Sequence, residues 1–252
     1  MLIKAKTLVG YKLDSLDGEI GKVKDFYYDD RHWTIRYLIA ETGSWLKGRQ
    51  VLVSPFALIS VNKEERNISL DLAKKQIEKS PPLESDKPVS RQFEQAYYGY
   101  YGYPTYWGGP RNWGSSSYPT RDREQWKEYV QGKNGWNLNL RSTNDAIGHQ
   151  TQALDGELGQ VEDFIIDDET WEIRYLVIDT HNSRSDKKVL VSPEWIGSTS
   201  WDERKVFVNL SRESVKLSPI YTEESLLTRD YETKLYQYYD RKGYWVDELI
   251  AG

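Results

Sequence analysis

Three histidines are the first residues to consider for acid–base or metal chemistry: His32, His149 and His181. Metal sites built on histidine usually draw their ligands from short, regular spacings, whereas these three residues lie far apart in a chain that has no cysteine. A histidine of this kind is most simply a solvated turn residue. We therefore predict no metal ligand and no histidine base.

Two pairs of adjacent carboxylates, Asp29–Asp30 and Asp167–Asp168, are the next candidates, because hard cations prefer clustered oxygen ligands. Neither pair belongs to the pattern of an EF-hand loop, which needs a glycine and a late glutamate. We interpret both pairs as turn residues and keep weak cation binding as the alternative. Ser54 and Ser192 each precede a proline, with no histidine placed to activate them. We expect no catalytic residue, no cofactor and no enzyme activity.

One loop has the composition of a protein contact site. Segment 43–50 reads GSWLKGRQ and combines Trp45 and Leu46 with Arg49, and tryptophan beside arginine is typical of interface hot spots. The alternative is that Trp45 folds back onto the rim of its own domain. The corresponding later segment, 181–188, is predicted to be a solvated basic tip carrying Arg184, Lys187 and Lys188.

Tyrosine-rich stretches form the second candidate contact surface. The chain has 19 Tyr and 10 Trp against 5 Phe, and such side chains suit surfaces that are apolar yet need a polar tip. The candidate contacts in these stretches are Tyr98, Tyr101, Trp107, Tyr236, Tyr239 and Trp245. Either each stretch packs onto the protein itself, or it presents an aromatic surface to a partner or a second copy.

The whole chain is organised as a tandem duplication. LDGEIGKVKDFYYDDRHWTIRYLIAET at 16–42 matches LDGELGQVEDFIIDDETWEIRYLVIDT at 154–180, an offset of 138. The same offset aligns the tyrosine stretch 91–107 with 229–245, so this stretch belongs to the repeating unit. None of the three histidines recurs at this offset. Positions shared by both copies are best explained by the fold, and divergent positions by function.

Each copy is predicted to be a small β-rich module. Short apolar runs separated by Asp-Gly and Asp-Asp turns predict strands at 19–28, 33–41, 50–53, 57–61 and 67–72. A helical turn near 73–79 and a helix at 88–101 follow. Centring the first hairpin on Asp30–Arg31 places Asp25 opposite Arg36 as a cross-strand ion pair, and Tyr28 opposite Trp33. Short strands without intervening helices favour a small barrel.

The predicted domains follow from the repeat. They are module 1 at 1–82, its Tyr-rich tail at 83–107, a linker at 108–142, module 2 at 143–220 and its Tyr-rich tail at 221–252. The linker is rich in Gly, Pro and Ser, and its stretch RDREQWKEYV is compatible with a short helix.

Charge differs between the two modules. Residues 1–82 carry 14 basic and 11 acidic side chains, net +3, whereas residues 143–220 carry 8 basic and 15 acidic, net −7. Nucleic-acid binding favours a continuous basic surface, which makes a nucleic-acid partner unlikely and permits attraction between copies. The sequence has no apolar run of membrane-spanning length and no signal-peptide pattern. We therefore expect a cytoplasmic protein without a membrane span.

The repeated motifs resemble the PRC-barrel family. The similarity lies in a Gly-x-Val-x-Asp strand, an acidic turn, an Ile-Arg-Tyr-Leu strand and a Val-Leu-Val-x-Pro strand, over residues 5–80 and 143–218. The arrangement is similar to that of bacterial proteins with two such barrels in tandem. The resemblance implies a mainly β fold of two PRC-type β-barrels, each followed by a short Tyr-rich helical tail.

The resemblance also sets the functional expectations. It implies a non-catalytic adaptor for protein interaction or assembly, with a protein partner or a second copy as ligand and no small-molecule substrate. The alternatives are an RNA- or ribosome-associated factor, by analogy with ribosome maturation factors, and a peripheral photosynthetic component, by analogy with the cytoplasmic part of reaction centre H subunits.

Overall fold

The chain folds into two compact units. The computed structural model describes residues 1–82, 89–120, 140–180, 187–222 and 227–248. Unit 1 comprises Met1, Ile3–Asp145 and Ile166–Ile173. Unit 2 comprises Leu2, Ala146–Ile165 and Arg174–Gly252.

Unit 1 is built around a seven-stranded sheet. Its strands are β2 (Lys12–Ser15), β3 (Gly18–Asp29), β4 (Thr34–Glu41), β5 (Gln50–Val53), β6 (Leu58–Asn62), β7 (Asn67–Leu70) and β8 (Leu140–Ser142). The order across the sheet is β5-β4-β3-β2-β7-β6, and β8 pairs antiparallel with β3. The only parallel pair among these strands is β2 with β7. The eight residues of β4 show how deep the core lies, because all but the last are buried.

Unit 2 repeats this topology. Its strands are β9 (Gln150–Ala153), β10 (Gly156–Asp167), β11 (Ile173–Asp179), β12 (Lys188–Val191), β13 (Ile196–Ser200) and β14 (Lys205–Val208). The order is β12-β11-β10-β9-β14-β13, and β1 (Leu2–Lys4) is the seventh strand of this sheet. The parallel pair recurs between β9 and β14. The duplication read from the sequence is therefore also a duplication of strand order.

Helices are short and lie between or after the strands. In chain order they are α1 (Ala5–Leu8), α2 (Lys74–Glu78), α3 (Arg91–Tyr101), α4 (Thr143–Ala146), α5 (Arg212–Leu217), α6 (Arg229–Tyr238) and α7 (Tyr244–Glu248). Ser90 and Thr228 begin the two longest helices of the described ranges, and each side-chain oxygen accepts a backbone N–H at the third helical position. The tyrosine stretches are thus helical, as the sequence predicts.

The repeated glycine of the Gly-x-Val-x-Asp strand has a steric cause. Gly21 and Gly159 have φ values of 143° and 154°. A Cβ at either position would lie 2.0 Å from the carbonyl oxygen of Glu41 or Asp179, respectively. The neighbouring strand passes so close to the backbone here that no other residue fits. This glycine is therefore a requirement of the fold.

The predicted register of the first hairpin is wrong. Asp25 pairs with Ile39 and Tyr28 with Ile35, because the turn is longer than predicted and the pair that closes it is Asp29–Thr34. An irregularity between Tyr27 and Tyr28 then shifts the ladder by one more residue at Asp25. Arg36 is instead 3.5 Å from Asp29, between Nη2 and Oδ2.

The stacking of Tyr28 on Trp33 does occur, with ring centroids 5.5 Å apart. Trp33 is not a strand residue, however. It lies in the turn with a φ of 49°, and its counterpart Trp171 has a φ of 60°. Each turn is therefore completed by the tryptophan itself in the left-handed conformation, and the strand begins after it.

The mainly β fold is confirmed, with one sheet in each unit. Barrel closure is not seen among the described strands. The two edge strands of the first sheet, β5 and β6, do not pair with each other, and neither do β12 and β13 in the second. The predicted linker 108–142 is in part ordered structure: Trp113 is buried and residues 140–142 form β8. The possible helix RDREQWKEYV lies outside the described residues.

Candidate functional site

The tyrosine-rich tail of unit 1 is organised around a buried carboxylate. Glu94 lies on α3 and is fully buried. Its Oε1 accepts hydrogen bonds from the hydroxyls of Tyr37 at 2.9 Å and Tyr106 at 2.7 Å. Its Oε2 lies 2.9 Å from Nη1 of Arg91, whose guanidinium stacks on the Trp107 ring at 3.9 Å. One carboxylate thus joins the sheet, the helix and the segment after the helix.

Unit 2 contains the same arrangement at the matching positions. Glu232 accepts hydrogen bonds from Tyr175 at 2.7 Å and Tyr244 at 2.8 Å, and lies 3.1 Å from Arg229. Arg229 stacks on Trp245 at 4.2 Å. The repeated residues of the tyrosine stretch therefore make contacts within each unit. This is the first of the two interpretations of these stretches given above.

The structure places the candidate contacts of the tails at different depths. Tyr98 and Tyr236 are each 1% exposed and lie in the core, beyond the reach of a partner in this fold. Burial raises the pKa of Tyr101 and of Tyr239 to about 12, although both remain half-buried. Trp107 and Trp245 are also half-buried, with an arginine covering one face of each ring. None of the predicted contacts in the tails is therefore exposed, whereas Tyr100 and Tyr238 on the same helices are 41% and 40% exposed.

Trp45 is held in place but not covered. It lies in a 3-10 turn, Gly43–Leu46, and its indole N–H donates to the carbonyl oxygen of Ile20 at 2.6 Å. The Lys74 ammonium is 5.8 Å from the centre of its ring. Trp45 and Leu46 are both half-buried. The indole is therefore oriented by one hydrogen bond while part of the ring faces solvent.

Leu16 is an exposed apolar residue beside the turn that Lys74 links to Trp45. The residue precedes an Asp-Gly turn and is 64% exposed. The turn is held against α2, because Asp17 accepts the backbone N–H of Lys74 at 2.7 Å, and the Lys74 side chain approaches Trp45. We call Leu16, Trp45 and Leu46 together the Trp45 surface. Leu16 is not among the contacts predicted from the sequence, because a single leucine next to a turn carries no signal of its own.

Arg49, predicted as a contact, makes intramolecular hydrogen bonds. Its guanidinium donates to the carbonyl oxygens of Glu78 at 3.1 Å and Ser80 at 2.7 Å, at the end of α2. Lys187, at the matching position of unit 2, donates in the same way to carbonyls at the end of α5, including that of Ser218 at 2.8 Å. Cations at helix C-termini stabilise the helix. The two loops therefore share a function that their different sequences conceal.

The predicted basic tip of the second loop is only partly described. Lys187 and Lys188 are not freely solvated, since Lys188 pairs with Glu162 at 2.8 Å. Arg184 and His181 lie outside the described residues.

The remaining histidines and the paired carboxylates have protein partners. His32 Nδ1 lies 3.0 Å from Asp29 Oδ2. Burial opposes ionisation of Asp29, yet the His32 hydrogen bond and the Arg36 charge together hold its pKa below the ordinary value. Asp30 pairs with Arg141 at 3.1 Å. His149 is buried against Trp201, so the expectation of a solvated turn residue is wrong for it.

Two absences among the described residues bear on the class of site. No group of three or more His, Asp or Glu side chains in these ranges is arranged to hold a metal ion. No helix within them has both the length and the apolar character needed to cross a bilayer.

Comparison with protein-family models and with curated proteins yields no match to this chain, so the site must be interpreted from its own geometry.

Proposed function

We propose that this protein is a non-catalytic adaptor of the tandem PRC-barrel type that binds a protein partner through the Trp45 surface. The observation that carries the proposal is the Trp45 side chain, oriented by its hydrogen bond to Ile20 yet only half-buried, with the exposed Leu16 on the turn that Lys74 links to it. The duplicated strand order and the repeated motifs support the family assignment. The function expected from that family is binding rather than catalysis.

Fixing the indole before binding favours affinity. A side chain that is already immobile loses little conformational entropy when a partner covers it. Tryptophan also combines a large apolar area with a hydrogen-bonding group, which is why it is frequent in contact hot spots. At Trp45 the N–H is already satisfied within the protein, so a partner needs to supply only apolar contact to the ring.

The second copy supports the distinction between fold and function. Leu154 and Asp155 repeat the exposed leucine and the helix-holding aspartate, and Asp155 accepts the N–H of Arg212 at 2.6 Å. The position that matches Trp45 is a serine, Ser183. The turn is thus common to both copies, whereas the tryptophan belongs only to the first. This asymmetry is expected if one copy binds the partner and the other maintains the fold.

The proposal is tested by substituting the exposed leucine rather than the anchored tryptophan. Leu16→Ser removes apolar surface while leaving the Trp45 hydrogen bond and the Asp17 contact in place. We expect crosslinked partners recovered from the producing cells to fall about tenfold for Leu16→Ser, as for an interface residue of 1–2 kcal/mol. Trp45→Ala should lose them entirely. Quantitative mass spectrometry of the crosslinked proteins measures both.

Leu154→Ser is the matched control, because Leu154 is 73% exposed at the same position of the other copy. It should keep every partner. Thermal unfolding of all variants shows whether the fold is intact. The proposal fails if Leu16→Ser and Trp45→Ala retain the same partners as Leu154→Ser. Recovery of RNA at low salt, lost on adding salt, would instead favour the ribosome-associated alternative.

A further inference from the structure

Unit 1 has a pocket that shares no residue with the Trp45 surface. It has a volume of about 260 Å³ and runs beside β6, touching residues 58–61 in succession. Its other walls come from Pro55, Pro119, Asp168, Glu169 and Trp171. The mouth is open, since Ile59, Ser60 and Glu169 are all exposed. The pocket is smaller than the 300–1,000 Å³ typical of small-molecule sites, so it suits one or two side chains rather than a cofactor.

The lining shows that the pocket lies at the edge of the strand. Successive side chains of a strand point to opposite faces of the sheet. A cavity on one face of β6 would touch alternate residues, whereas this one touches four consecutive residues. Among the described strands β6 pairs only with β7. The pocket therefore follows the side of β6 that has no strand beside it.

This edge lacks the features that usually prevent strand addition. Proteins protect exposed edges with charged residues, prolines or very short strands. The five residues of β6, LISVN, include no charge and no proline, and Ile59 is 45% exposed. A register irregularity between Leu58 and Ser60 is the one protective feature present. The middle of the strand remains available for pairing.

We propose that the β6 edge binds an extended peptide segment of a partner protein as an added strand, with alternating aliphatic and basic side chains. The aliphatic side chain would enter the pocket against Trp171 and Pro119. The basic character is specified by charge complementarity with Glu169. Asp168 already binds the terminal amine of Met1, so Glu169, which is exposed, is the carboxylate presented to the peptide. Main-chain hydrogen bonds would supply affinity and the pocket specificity.

The experiment pans a phage library of random heptapeptides against the full chain. We expect enriched sequences that alternate Val, Ile or Leu with Lys or Arg. Val61→Lys places a cation on the edge, and should weaken binding of these peptides at least tenfold, as measured by fluorescence anisotropy. Glu169→Gln should weaken it about two- to fivefold, as for one exposed ion pair. Hydrogen exchange should show new protection at residues 59–61 when the peptide is bound.

Thr199→Lys is the matched control for Val61→Lys. Val61 pairs with Ile68 on β7, and Thr199 holds the same register position opposite Val206 in unit 2. This control should leave peptide binding unchanged. Since Val61→Lys could also disturb the fold, Glu169→Gln provides a second, exposed substitution that does not touch the sheet.

Three results would overturn the proposal: no enriched sequence, enriched peptides that bind Val61→Lys as tightly as the parent, or protection outside β6. Self-association abolished by Val61→Lys would overturn it too, since the occupant of the edge would then be a second copy. Peptides that lose affinity only with Leu16→Ser would support the Trp45 proposal and contradict this one, so the two proposals fail separately.

Discussion

Glu94 illustrates at the scale of a residue how a charge is accommodated inside unit 1. A buried carboxylate is costly unless donors and a counter-charge surround it. Two tyrosine hydroxyls and one arginine satisfy it here, and Glu232 repeats the arrangement with the same residue types. In the sequence, Arg91 and Glu94 read only as an ordinary pair on an exposed helix. The sequence does show that these positions carry the same residues in both copies.

Replacing the Glu94 carboxylate should lower the stability of the fold strongly, because this group is buried and hydrogen-bonded. Glu94→Ala leaves two buried hydroxyls and Arg91 without their partner, and we expect a loss of about 3–5 kcal/mol in the free energy of unfolding. Glu94→Gln retains one acceptor and should cost less, about 1–3 kcal/mol. Urea denaturation measures both. Glu232→Ala should behave like Glu94→Ala, whereas Glu203→Ala on the surface should change stability by less than about 0.5 kcal/mol. Equal effects for Glu94 and Glu203 would contradict this account.

Among the elements, strand β8 departs most from what the sequence predicts. It lies at the end of the predicted linker, yet it pairs with Tyr27–Asp29 in the unit 1 sheet. The residues after it complete the shell of the buried Asp25 carboxylate, which accepts hydrogen bonds from Ser142 and Thr143. The first sheet therefore includes residues that lie more than a hundred positions after the β3 residues with which they pair.

Removing both hydroxyls tests this dependence. We expect Ser142→Ala with Thr143→Val to lower the free energy of unfolding by about 1–3 kcal/mol, because Asp25 would keep fewer donors while remaining buried. Hydrogen exchange should also accelerate at the amides of β3 near Tyr27. Ser198→Ala, at an exposed position of β13, is the control and should alter neither measurement. Unchanged exchange in β3 would show that β8 does not stabilise the sheet.

The sequence predicts the elements better than their pairing. Hydrophobic alternation and turn residues locate β3 to β7 to within a few residues, because that pattern is local. The Asp25 pairing was missed because the turn takes up Trp33 and because an irregularity at Tyr27/Tyr28 adds a further shift, and such bulges leave no composition signal. β8 was missed because three residues carry too little pattern. The Trp45 surface was predicted only in part. Trp45 and Leu46 were predicted as contacts, whereas Leu16 was not, because the residue type alone does not indicate that this leucine is exposed.

At the scale of the whole molecule, the ionisation of buried tyrosines makes the stability of both units depend on pH. Burial raises the pKa of Tyr101 in unit 1 and of Tyr231, Tyr236 and Tyr239 in unit 2 to about 12, from an ordinary value of 10.0. Several further tyrosines of unit 1, including Tyr37 and Tyr97, are shifted upwards more strongly by burial. The folded state therefore binds these phenolic protons more tightly than the unfolded chain does.

We expect steep alkaline unfolding as a result. Since the folded pKa values lie above the unfolded ones, the stabilisation is complete below pH 10 and is lost as the pH rises through about 12. Each such tyrosine contributes about 1.4 kcal/mol per pH unit in that interval. Tyrosinate absorbance and circular dichroism, followed together during titration, should change in one transition. Tyr236→Phe should make the transition less steep, and phenol titration near pH 10 with an intact spectrum would contradict the expectation.

The residues that make up unit 1 also determine when this unit can be completed during synthesis. Its sheet is incomplete until β8 has been made, and the unit further includes Ile166–Ile173. A ribosome adding about 5–20 residues per second needs several seconds to pass from the first tyrosine tail to these residues. Throughout that interval β3 has no β8 to pair with, and Asp25 lacks the hydroxyl donors of Ser142 and Thr143. The early copy is thus completed only by the arrival of the later one.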